Sequence, residues 1–185
     1  LGILNYYPAR QGDGEMFRLW EIAGTAHADA FQLGAAEDLL GCPKPINRGQ
    51  QSFVLKAALR HLDTWAKGGE APPKADRLGV DDTADPPVYE LDQTGNVTGG
   101  VRTPAVDAPV DVLSGLPAEG GGVICSLMGT TTPLSDQQLA AAHGSRDEYE
   151  QAYTAATDDA IDAGYVLDED RTDLMADLAA DRFDG

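Results

Sequence analysis

Lysine and cysteine are scarce in this 185-residue sequence, and no stretch of it stays apolar for long. Four lysines stand among 13 basic side chains, against 31 acidic ones, for a formal charge of −18. Such a surface repels phosphate backbones and anionic headgroups, which argues against nucleic acid as a partner. A heavily solvated exterior of the kind that suits high salt accounts for the acid excess without any cationic partner. No apolar run approaches the roughly 20 residues that a membrane-crossing helix needs, so no membrane association is expected. The two cysteines, Cys42 in GCPKPIN and Cys125 in GGVICSLMG, lack the paired CxxC spacing of a zinc site. They are either buried thiols or one disulfide closing a long loop. The second alternative would belong to an oxidising compartment, and cytoplasmic and secreted locations both stay open.

Several chemical signatures are missing as well. The glycines at 120–122 are not followed by the Lys-Ser/Thr pair of a phosphate-cradling loop. The acidic runs DDTAD (81–85) and DEDRTD (168–173) have neither the central glycine nor the twelfth-position glutamate of a calcium loop, and read as solvated turns. His27 and Asp29 form an H-x-D pair without a third ligand at a useful spacing. No metal and no cofactor is therefore expected. No G-x-S-x-G elbow occurs, and Ser52, Ser114, Ser126, Ser135 and Ser145 all lack the strand-to-helix glycine setting that exposes a strained nucleophile.

What is present suits one soluble domain with a real core, at 42% apolar residues. The chain opens abruptly on LGILNYY, which reads as a cut through folded structure. Phe17 to Gly24, FRLWEIAG, has the bulky alternation of a strand. Residues 51–67 form the clearest helix, with Val54, Ala58, Leu62 and Trp65 as its apolar stripe, His61 at the margin, and Gly68 and Gly69 as its stop. Val88 to Leu91 and Val97 to Val101 flank DQTGN as a hairpin. Ser135 with Gln138 and Ser145 with Glu148 match capping boxes of two helices closed by Gly144 and Gly164. Asp168 is placed to cap a last helix with Leu174 and Leu178 on its apolar side.

One residue is placed for chemistry. Ester or amide hydrolysis at neutral pH needs a base that takes the nucleophile's proton and returns it to the leaving group, and histidine's ordinary pKa suits both steps. His27 follows the strand candidate in a short loop, between the small Ala26 and Ala28. On residues alone, an ordinary loop histidine is the better reading. Asp29 and Glu21 read as capping or surface groups, and Asp13, in RQGDGE, as a solvated turn residue.

The blocks FRLWEIAGTAHADAF, GCPKPINRG, FVLKAALRHLDTWAKGGEAPP, GNVTGGVRTPAVD and CSLMGTTTP, in this order, resemble a family of bacterial α/β-hydrolase domain proteins over nearly the whole chain. The resemblance implies an α/β fold: the C-terminal part of a hydrolase sheet, with FRLWEIAG as last core strand and 51–67 as packing helix, a hairpin excursion and a C-terminal helical segment. It divides the chain at 1–70, 71–134 and 135–185. Because the triad of that fold runs nucleophile, acid, histidine, it also implies that His27 is the catalytic histidine. The serine, and an acid in a Thr-Glu-Thr-Asp-like segment, would precede Leu1. The implied function is hydrolysis of a small carboxylic ester, less readily an amide, once an upstream segment of the same precursor or an equivalent chain is the partner. The alternative is a non-catalytic interaction module that kept the hydrolase shape.

Overall fold

The computed structural model describes residues 6–184. Leu1 to Asn5, most of the LGILNYY run, lies outside the described residues. Among these residues the regular elements are six α-helices and two two-stranded antiparallel sheets. The helices are α1 (Ala30–Leu33), α2 (Gln51–Ala66), α3 (Pro104–Asp107), α4 (Asp136–His143), α5 (Arg146–Asp162) and α6 (Arg171–Met175). The strands are β1 (Val80–Asp81), β2 (Val88–Tyr89), β3 (Asp111–Ser114) and β4 (Thr130–Pro133), paired β1 with β2 and β3 with β4.

The expected strand over FRLWEIAG is only partly realised. Ile22 forms a single parallel bridge with Val101, in which the Ala23 N–H donates to the Val101 carbonyl at 2.9 Å and the Val101 N–H to the Glu21 carbonyl at 2.7 Å. Residues 17–20 find no ladder partner among the described residues, so bulky alternation there gives an extended line without a sheet. Asp13 is not a solvated turn residue: its carboxylate accepts from the Leu19 N–H at 3.0 Å and meets Arg77 at 3.2 Å. The Leu19 N–H, followed by Arg77, holds that carboxyl below the usual aspartate range. The hairpin turn forms at DQTGN, where Leu91 and Val97 pair and Asp92 Oδ1 accepts the Thr94, Gly95 and Asn96 N–H groups. β2, however, pairs with β1 rather than with 97–101.

Helix α2 forms as the 3.6-residue period requires and ends where Gly68 takes φ +85°. Its buried face is Phe53, Val54 and Ala57, while Leu62, expected inside, is exposed along with Leu55 and Leu59. Helix α5 buries Tyr149, Tyr153, Ala156, Thr157 and Ala160 along one face, and Phe183 stacks on Tyr149 at 5.0 Å. Both serine caps form: the Ser135 and Ser145 side chains accept from the Gln138 and Glu148 N–H groups. Asp168 does not cap the last helix. It begins a 3-10 turn, Asp168–Asp170, that runs straight into α6, and no side-chain cap bond forms there. Leu174 is fully buried as expected, and Leu178 lies beyond the end of α6.

One core cluster, of Ala23, Leu78, Val97, Val106 and Leu113, joins the 17–24 line to the hairpin, α3 and β3. A second, of Ala30, Ile46 and Met128, lies beside the disulfide between Cys42 and Cys125. The bridge spans 83 residues of sequence. Chain-entropy reasoning gives such a loop about 4–5 kcal/mol of stabilisation. Urea unfolding followed with and without reductant, and on the paired Cys42→Ala, Cys125→Ala substitution, is expected to fall by that order; an unchanged midpoint would contradict it.

Candidate functional site

The histidine loop begins at a constraint of backbone geometry. Gly24 has φ +67°, and a Cβ there would run into Val106 Cγ1 and lie 3.1 Å from Leu113 Cβ. The chain therefore turns sharply out of the Ile22–Val101 bridge into Thr25, Ala26 and His27. Thr25 Oγ1 donates to the Ile22 carbonyl at 2.9 Å and tightens that turn. Across the loop, Gly129 has φ +58°, and a Cβ on it would come within 2.8 Å of Ala26 Cβ, so the 125–133 segment passes close beneath. The Ala28 N–H donates to the Leu127 carbonyl at 3.4 Å.

The loop ends in a capping box. Asp29 Oδ1 accepts the Gln32 N–H at 2.9 Å, and the Gln32 side chain accepts the Asp29 N–H at 3.2 Å. Asp29 is fully buried, and its second carboxylate oxygen has no partner among the described residues. Its capping role agrees with the sequence reading. Glu21 does not: it is almost fully buried, not on the surface. Arg10 grips it with two bonds of 2.6 Å, and the Leu78 N–H donates to it at 2.8 Å.

His27 itself is exposed at the rim of a groove of about 360 Å³. The walls include Tyr6, Trp20, Tyr89, Leu116, Ser126 and Leu127. Burial, followed by the charge of Glu21, pushes the Tyr6 phenol up to about 12, and burial likewise raises Tyr89. Both phenols stay protonated at neutral pH. Ser126 Oγ donates to the Val123 carbonyl at 2.6 Å, the bond of a structural turn residue.

The three histidines differ in their surroundings. His61 Nε2 bonds the Gly164 carbonyl at 2.9 Å and its ring meets the Trp20 edge, while His143 Nε2 bonds the Pro109 carbonyl at 2.7 Å against Tyr149 and Phe183. Neither His27 ring nitrogen has a hydrogen-bond partner among the described residues, and no carboxylate among them supports the ring. Among the same residues no group of three His, Cys, Asp or Glu side chains is placed to hold a metal ion, and no helix is long and apolar enough to cross a membrane.

A larger cavity lies elsewhere, about 490 Å³ between α2, α3 and α5. Its polar centre is already engaged: Gln50 Nε2 donates to Tyr153 Oη at 2.8 Å, and Gln50 Oε1 accepts the Ala105 N–H at 3.2 Å. Asp177, whose carboxyl burial pushes up, also lines the cavity and accepts from Gln50 at 3.0 Å, but no histidine lines it, so the smaller groove is the better candidate for an acid–base histidine. The sequence singled out His27 but neither its groove walls nor Asn47, whose carbonyl accepts the Ala30 N–H at 2.8 Å. An asparagine between proline and glycine carries no signal that separates a surface turn from a buried anchor.

A family model described as an alpha/beta hydrolase domain matches residues 1–176. No curated protein and no solved structure matches the chain.

The ion pair under the groove is open to test. Glu21→Ala leaves the Arg10 guanidinium and the Leu78 N–H without their acceptor and is expected to cost about 3 kcal/mol in urea unfolding. Glu21→Gln, which still accepts from Leu78, should lose less; equal losses would mean that the backbone bond contributes nothing.

Proposed function

Since the chain belongs to the alpha/beta hydrolase domain family, we propose that it carries the acid–base histidine of a serine hydrolase, His27, and acts on small carboxylic esters. One observation carries this reading. Of the three histidines, only His27 stands exposed beside a groove with both ring nitrogens free of partners among the described residues.

In the proposed mechanism His27 takes the proton of a serine hydroxyl as that oxygen attacks the ester carbonyl. It then returns the proton to the departing alkoxide as the tetrahedral adduct collapses. The apolar walls at Trp20, Leu116 and Leu127 suit the hydrocarbon part of an ester better than a charged group. No serine here has the elbow setting, and no carboxylate among the described residues supports the ring. The nucleophile, the acid and the oxyanion donors are accordingly assigned to an upstream segment of the same precursor or to an equivalent chain. The exposed row of Leu55, Leu59 and Leu62 on α2, with Met16 nearby in sequence to the groove wall, offers apolar surface for such a partner.

In the complete, active protein, His27→Ala is expected to lower ester turnover at least about a hundredfold. Asp29→Ala should cost about 1 kcal/mol of stability through the lost cap and much less turnover. Unchanged turnover in His27→Ala removes the base assignment. Comparable losses in both variants would mean that Asp29 shares the chemistry.

A further inference from the structure

Resting on the reading of His27 as the proton shuttle, we propose that Asn47 is a positioning residue that fixes where the imidazole stands by holding both ends of its loop. Asn47 is fully buried. Its side-chain Nδ2 donates to the Gly24 carbonyl at 3.0 Å and to the Ser114 carbonyl at 3.1 Å, and its Oδ1 accepts the Gly49 N–H at 2.7 Å. Its own carbonyl accepts the Ala30 N–H, and its N–H donates to the Met128 carbonyl at 3.0 Å.

Gly24 and Ala30 are the residues on either side of the loop that has His27 at its middle. One residue thus sets the span between the two ends, and through Ser114 and Met128 ties that span to β3 and to the segment that passes under Ala26. The direct backbone bond from Ala28 in the loop to Leu127 is long at 3.4 Å. The side chain at 47 must therefore supply two N–H donors and one acceptor in a single plane, which asparagine does at this length. Aspartate has the same shape but no donor, and would set a carboxylate oxygen against two carbonyls. Alanine takes the Asn47 side-chain partner away from two carbonyls and an N–H.

A base that must meet a serine hydroxyl at hydrogen-bond distance tolerates little displacement: an error of about 1 Å costs on the order of a hundredfold in rate. Holding both ends converts the rigidity of β3 into a fixed place for the ring. A residue with this function differs from a merely stabilising one in a measurable way, because its effect on turnover passes through His27 alone.

The experiment is a double-mutant cycle in the complete, active protein: Asn47→Asp and Asn47→Ser, each alone and combined with His27→Ala. Asn47→Asp is expected to lower kcat at least about tenfold with KM little changed, and Asn47→Ser, which keeps one donor, to lose less. In the His27→Ala background the same substitutions should leave the residual rate unchanged. Equal losses in both backgrounds would overturn the positioning role and leave a structural one. A kcat unchanged in Asn47→Asp, with His27→Ala inactive, would also overturn it while the base assignment stands. An active His27→Ala would sink both. Should the variants at 47 fail to fold, amide exchange in the wild-type protein decides: the Asn47 side-chain protons and the Ala30 N–H should exchange slowly and together. Fast exchange at either would show that the loop is not held.

Discussion

Glu21 is the point on which the arrangement around the groove depends. Its side chain is 2% exposed, between the Arg10 guanidinium and the Leu78 N–H, and its own carbonyl accepts the Val101 N–H. Three separate stretches of chain thus meet at one residue. Burying a carboxylate costs less when its lone pairs are used, and here Arg10 uses both oxygens while Leu78 takes one again. The consequence runs forward along the sequence: with Glu21 fixed, Ile22 and Ala23 are held against Val101, Gly24 must turn, and His27 is delivered to the rim.

The same economy recurs wherever a longer sheet would have used backbone ladders. β3 and β4 give four paired positions and β1 and β2 only two, so many buried backbone groups need other partners. Side chains supply them. Asn96 joins the hairpin turn to β3 by donating to the Asp111 carbonyl and accepting the Leu113 N–H. Thr131 Oγ1 donates to the Ile46 carbonyl and accepts the Arg48 N–H. Arg182, close to the last described residue, reaches the Leu134 carbonyl at 2.8 Å. Each bond crosses between segments distant in sequence, which is why polar residues at 47, 96 and 131 are as buried as the aliphatic core.

This division explains what was legible in the sequence. Helices α2, α4 and α5 could be read because their periodicity and caps are local: Ser135 and Ser145 find their partners three residues on, and Gly68 stops α2 by its own φ. The DQTGN turn was legible for the same reason. Over 17–24 the sequence suggests more strand than forms, since a strand is defined by a neighbour and bulky alternation does not say whether one exists. The spacing of Leu62 from Val54 fits one helix face and suggests burial. The buried side instead turns toward Phe53 and Ala57, where Ala160, Val166 and Leu174 meet Phe53. At Glu21, Asp13 and Asn47, charge and polarity suggest solvent where the structure has burial. Their burial is visible only once Arg10, Arg77 and the Gly24 carbonyl are brought to them from far along the chain.

The Cys42–Cys125 bridge also governs what a protease would leave behind. Between its two ends, Gly120 takes φ +79° and Val123 and Ile124 are 80% and 58% exposed, in a surface stretch of the kind that enzymes cut first. Cleavage there opens the chain without releasing either half, since one cysteine lies on each side of the cut. The nicked protein would migrate as a single species until reduced and then separate into two. A preparation that looks intact under non-reducing conditions is therefore no measure of chain continuity in this protein.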